Sequence, residues 1–165
     1  MNLPVGEVVE EGVNIKEIDF KQKISELGKQ NFSGYLVLMS EGNHGLEEGI
    51  LVFRSGNVIG SLYEYLKYEK PVFGKDAIPR TFNSFLSSTG VYDLISLTQQ
   101  QSELVIAFNT KIRLEKPLSV NDINKFFVKE YSTKLSEEAL SSELRKEKTK
   151  FDLFKQFGLS SLGKH

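Results

Sequence analysis

Residues 32–66, FSGYLVLMSEGNHGLEEGILVFRSGNVIGSLYEYL, constrain the fold of this chain more than any other stretch. They read as three short β-strands joined by two glycine-bearing turns. The first strand, 34–40, is apolar on both faces, with Tyr35, Val37 and Met39 alternating against Leu36 and Leu38. A strand buried on both sides belongs in the middle of a sheet or beneath a helix. Residues 41–48, with Gly42 and Gly45, read as a loop, and 49–54 as the second strand. Ser55-Gly56-Asn57 marks a tight hairpin, because Gly and Asn accept the positive φ such turns require. The third strand, 58–65, carries Gly60 and Ser61, small residues that admit close packing against the backbone.

Helical periodicity brackets this meander. Asp19 is a good N-cap for a helix whose Phe20, Ile24 and Leu27 fall on one face, with Gly28 as its stop. A second helix is expected from Asp76, with Ile78, Phe82, Phe85 and Leu86 at i, i+4, i+7 and i+8. Pro79 then sits in the first turn, where amide protons have no helical partner. Gly90 ends it, and 91–97 reads as a fourth strand. Thr98 with Gln101 predicts a capping box for a third helix whose inner face would hold Leu104, Val105 and Phe108. Residues 1–13 read as an extended lead-in, with Val5, Val8 and Val9 available to an edge strand. Ser119 or Asn121 caps a short helix bearing Ile123, Phe126 and Phe127. The expected architecture is α+β: an antiparallel meander sheet of four to five strands packed with helices. It occupies residues 1–131, and a charged, partly independent helical tail follows at 132–165.

Composition narrows the function classes. The net charge is −1, from 21 basic and 22 acidic residues, whereas nucleic-acid binders usually carry a basic excess that neutralises phosphates. Only a local patch could serve that role. There is no cysteine, which excludes disulfides, thiolate catalysis and cysteine-zinc sites. No window approaches the roughly 18 apolar residues of a membrane span, and no signal-peptide run opens the sequence. The expectation is a cytoplasmic protein without a membrane contact.

No group of residues has the spacing of an active site. His44 is the one histidine besides the terminal His165, and it lies beside Glu47 and Glu48. A metal-dependent or ligand-binding role centred on His44 is conceivable, yet a transition-metal site would want a further His or Cys. Gly74-Lys75 lacks the phosphate-loop pattern, having Glu69 where a glycine is required and Asp76 where Ser or Thr should be. No G-x-S-x-G elbow is present. The sequence therefore offers no catalytic residue, no metal ligand set and no cofactor motif.

Two aromatic groups remain as candidate partner-binding positions. Tyr63, Tyr65, Tyr68 and Phe73 interleave with Lys67, Lys70 and Lys75, a pattern suited to a protein interface or to stacking on nucleic-acid bases. In the tail, Phe151, Phe154 and Phe157, with Leu159, would line one side of a helix beyond the basic run 145–150.

The order of Phe32-Ser33-Gly34, Ile50-Leu51-Val52-Phe53 and 55–61, followed by Gly74-Lys75-Asp76-Ala77 and Gly90-Val91-Tyr92-Asp93, resembles an archaeal protein family of unknown function. More distantly it is similar to the domain at the amino terminus of PatA-type bacterial response regulators. The resemblance covers about residues 30–95. It implies no catalytic residues, and through the bacterial domain it implies a protein-contacting role in signalling. The leading expectation is a non-catalytic interaction module in a cytoplasmic assembly or signalling system, its protein partner unidentified and its oligomeric state open. The second is a nucleic-acid-associated protein using the Lys/Tyr loop and basic tail. The third is a small-ligand or metal-dependent protein centred on His44.

Overall fold

In the computed structural model, which describes residues 1–157, the chain divides into two units, Met1–Ser132 and Thr133–His165. The first unit is built on an antiparallel sheet whose strands are β1 (Glu7–Asn14), β2 (Gly34–Gly42), β3 (Gly45–Arg54), β4 (Asn57–Tyr65), β5 (Lys70–Phe73), β6 (Gly90–Ser96) and β7 (Arg113–Leu118). Their order is β1-β6-β2-β3-β4-β5, with β7 also paired to β4. The fold is α+β, as the sequence implied, but the described residues form seven strands rather than four or five.

The additional strands have local explanations. β5 lies where a polar loop was expected, and its Pro71 is tolerated because β5 forms an edge, where a missing amide proton breaks no ladder. β7 pairs with the first half of β4 at Val58 and Gly60, and β5 with the second half at 62–65. The second strand also begins four residues before its expected start. Gly42 pairs with Gly45, so Asn43 and His44 are the tip of a tight hairpin rather than part of an eight-residue loop. Gly45 has φ +116°, which explains how the chain reverses there.

Helices cover both faces. One face buries Leu36, Leu38, Leu51, Phe53 and Leu94 against α1 (Phe20–Lys29), α2 (Ala77–Ser84) and the short α4 (Val120–Ile123). Helix α1 is N-capped by the Asp19 carboxylate, which accepts from the Gln22 amide, and buries Phe20, Ile24 and Leu27. It runs one residue past Gly28, and Asn31 then takes the left-handed conformation. The other face buries Tyr35, Ile50, Val52 and Leu62 beneath α3 (Gln99–Phe108), whose capping box of Thr98 and Gln101 is present. A β-carbon on Gly60 would fall 2.4 Å from the Ile106 side chain, so only glycine lets α3 approach β4 this closely.

The face of α3 differs from the expected one. It buries Ser102, Val105 and Ile106, while Leu104 is 52% and Phe108 83% exposed. The i, i+1, i+4 spacing was compatible with either of two adjacent stripes, and Gly60 decides between them by receiving Ile106. The second unit contains α5 (Lys134–Ala139) and α6 (Ser141–Gln156). Among the described residues, no helix is long and apolar enough to cross a membrane.

Candidate functional site

The segment 63–75, expected to present a Lys/Tyr surface, is sorted by strand alternation into interior and exterior. Tyr63 and Tyr65 are 1% and 3% exposed, both on the α2 side of β4, so neither ring is available to a partner. Their period-2 spacing placed both on one face, and that face is covered. Tyr68 is half-buried in the turn after β4, with the Lys67 ammonium 4.9 Å from its ring centroid. Phe73 is exposed at the end of β5.

Beneath α2 the interior tyrosines build a polar cluster that sequence reading had not assembled. The Tyr63 hydroxyl donates to Glu47 Oε2 and meets Ser84 Oγ, and Ser84 Oγ lies 3.3 Å from the same carboxylate oxygen. Glu47 is 3% exposed, and its Oε1 has no protein partner. The carboxylate rests on Gly42, where a β-carbon would fall 2.2 Å from Glu47 Cδ. Burial raises the Glu47 pKa above the ordinary carboxylate value, opposed by the Tyr63 and Ser84 hydrogen bonds and by His44. Burial likewise pushes Tyr65 up to about 12, against the lowering influence of Arg80, to which its hydroxyl is hydrogen-bonded. The signal in the sequence was Glu47 itself, an acid at an inward position opposite Ser40, visible once β3 is extended to Gly45.

His44 does not complete a catalytic set here. Its Nε2 lies 3.5 Å from the Asn43 side-chain amide at the hairpin tip, and the Asn43 backbone amide donates to the Tyr131 hydroxyl at 3.2 Å. No cluster of three His, Cys, Asp or Glu side chains that could hold a metal occurs among the described residues.

A different aromatic surface forms where β5, the C-terminus of α3 and the start of β7 converge. Phe73 and Phe108, 37% and 83% exposed, line one groove of about 380 Å³ together with Leu62, Pro71 and Lys111. A neighbouring groove of about 460 Å³ carries Phe73, Lys75, Lys111, Arg113 and Lys116. The Lys111 ammonium stands 5.6 Å from the Phe73 ring centroid, a cation–π distance that links the two grooves. Local anchoring is clear: Ile112 and Leu114 are buried on either side of Arg113, which is turned outward at the start of β7, and Lys111 is exposed in the short turn before it. Phe73 and Lys75 were singled out in the sequence. Their companions Phe108, Lys111, Arg113 and Lys116 were not, because each lies 33 or more positions further along the chain.

Of the tail candidates, Phe151 and Phe154 lie on α6 and Phe157 directly follows it. Phe151, Phe154 and Phe157 are 55%, 51% and 74% exposed, and Leu159 and His165 lie outside the described residues. Aromatic side chains thus stand open in both units, at Phe73 and Phe108 in the first and at the tail phenylalanines in the second.

No curated protein and no solved structure matches the chain. A family model, described as an uncharacterized protein conserved in archaea (DUF2226), matches residues 1–109. That span is 109 of 165 residues and contains β1 to β6, both exposed phenylalanines of the surface and the whole Glu47 cluster. The chain belongs to this archaeal family.

Proposed function

We propose that this protein is a non-catalytic interaction module that contacts a protein partner through the Phe73–Phe108 surface, within a cytoplasmic assembly or signalling system. The observation that carries this reading is the pair of exposed phenyl rings lining one groove beside Lys75, Lys111, Arg113 and Lys116. Water gains nothing from two such rings left open, and contiguous exposed apolar surface rimmed by charge is characteristic of binding sites. Aromatic residues and arginine are the side chains that most often anchor interfaces. The resemblance of residues 30–95 to the amino-terminal domain of PatA-type response regulators supports a protein-contacting role.

Affinity capture from native-source lysate, with nuclease present, tests this. Wild-type protein is expected to retain a protein partner that the Phe73→Ser/Phe108→Ser variant loses. If recovery instead disappears with nuclease and falls steeply with salt, the basic rim serves nucleic acid and the proposal is overturned. Capture by both forms alike would place the contact elsewhere.

A further inference from the structure

The two edges of the sheet carry opposite charge and matching apolar character. At one edge, β1 exposes Val8 and Val9 at 58% and 51%, with Val5 just before it at 94%. Glu7 and Glu11 are exposed among them. Glu10, between these acids, is otherwise engaged: it accepts from Lys23 at 2.5 Å and from the Tyr92 hydroxyl. The outward charge of this edge is therefore that of Glu7 and Glu11. At the opposite edge, the grooves of Phe73 and Phe108 are lined by Lys75, Lys111, Arg113 and Lys116, with Glu64 and Glu115 as the acids among them. Within one molecule β1 and β5 are the first and last strands of a six-strand path, and the chain's own Met1, six residues before β1, lines the Phe73–Phe108 groove. At about 4.8 Å per strand the two strands are about 24 Å apart.

We infer that the Phe73–Phe108 surface receives the β1 edge of a second copy of this chain. The inference rests on the proposed role of that surface and names its partner. Valines of β1 occupy the grooves beside Phe73, while Glu7 and Glu11 face the basic rim. Docking proceeds through side chains rather than by extension of the sheet. β5 is four residues long and contains Pro71, and β1 is bulged between Val8 and Val13, two features that blunt edge-to-edge pairing. Because the two contacting surfaces differ, the contact is heterologous, and an open assembly retains one unused surface of each kind, one at either end. A net charge of −1 leaves little overall repulsion to oppose it.

Light scattering coupled to size exclusion tests this on the full chain, at low salt and from about 10 μM to 1 mM, a range that covers weak association. The expected result is a mass that rises from the 18.7 kDa monomer to twice that value or more, and that falls back when salt is added. Two variants at exposed positions, Glu7→Lys/Glu11→Lys and Phe108→Asp, should each remain monomeric with unchanged circular dichroism. Mixed in equal amounts they should form a dimer and nothing larger, because one intact surface of each kind remains. A wild-type protein monomeric throughout overturns the inference, as does an assembly that either variant leaves intact or a mixture that fails to pair. If the wild type is monomeric yet still captures a different protein through Phe73 and Phe108, this inference falls and the proposed function stands.

Discussion

Two regions of this molecule invert the ordinary rule of burial, in opposite senses. Beneath α2 a carboxylate, Glu47, is closed into the interior with Tyr63 and Ser84. At the β5 edge two phenyl rings, Phe73 and Phe108, stand in solvent. Both departures cost free energy, but they differ in what removes the cost. Glu47 is compensated inside the fold, by two hydroxyl donors and by protonation, which its raised pKa favours. Phe108 stays 83% exposed even with Met1, Leu62 and Pro71 lining its groove. A buried carboxylate held at one oxygen by hydroxyls of its own fold belongs to stability, whereas an apolar surface left open points outward to a partner. Perturbed titration alone would have favoured the Glu47 cluster as a site. Exposure and groove geometry favour the other region.

The largest expected effect sharpens the interior side of this comparison. Tyr63→Ala removes a fully buried ring and one of the donors to Glu47, and should cost about 3–5 kcal/mol in urea denaturation. A loss below about 1 kcal/mol would mean the cluster is not structural. The Phe73→Ser/Phe108→Ser change should do the reverse. Its stability should stay within about 1 kcal/mol of wild type, as surface changes do, while partner affinity falls at least about tenfold. Comparable losses of stability in the two variants would erase the distinction between the regions.

Glu47 also predicts a pH dependence. Its folded pKa is raised above the ordinary 4.5, so the folded state holds its proton more tightly than the unfolded chain does. The stabilisation from this group is complete below pH 4.5 and is lost as pH rises through the folded pKa. Glu47→Gln keeps a neutral side chain of the same shape. It should flatten this part of the stability profile, narrowing the gap between acidic and neutral pH. A profile that keeps its slope would assign the dependence to another group. The smallest effect belongs to His44. His44→Ala at the hairpin tip should change stability by less than about 0.5 kcal/mol and leave partner capture intact. Loss of capture would revive a ligand site there.

The two regions were not equally legible in the sequence. The central meander, the Asp19 cap, the Thr98 capping box and the close approach at Gly60 are local signals, and each is present in the structure. β5 and β7 were not legible, because a four-residue strand containing Pro71 and a strand rich in Lys and Glu lack the β-branched alternation that marks strands. The surface was half visible. Phe73 and Lys75 stood out within one loop, while Tyr63 and Tyr65, their apparent companions, turned inward by the period of a strand. Phe108 was assigned to the core because spacing cannot choose between neighbouring helical stripes. Lys111, Arg113 and Lys116 join it only through the pairing of β7 with β4, a tertiary contact without a local signature. These three residues also lie beyond the span matched by the family, so the rim of the surface is built partly outside it.

The most direct measurement places a photo-crosslinking benzoylphenylalanine at position 108 in the full chain, with position 154 as the counterpart in the tail, and irradiates native-source cells. The account predicts a crosslinked protein adduct from position 108, identified by mass spectrometry, and its loss when Phe73 is replaced by Ser. Adducts from position 154 but none from 108 would contradict it and move the interaction to the tail.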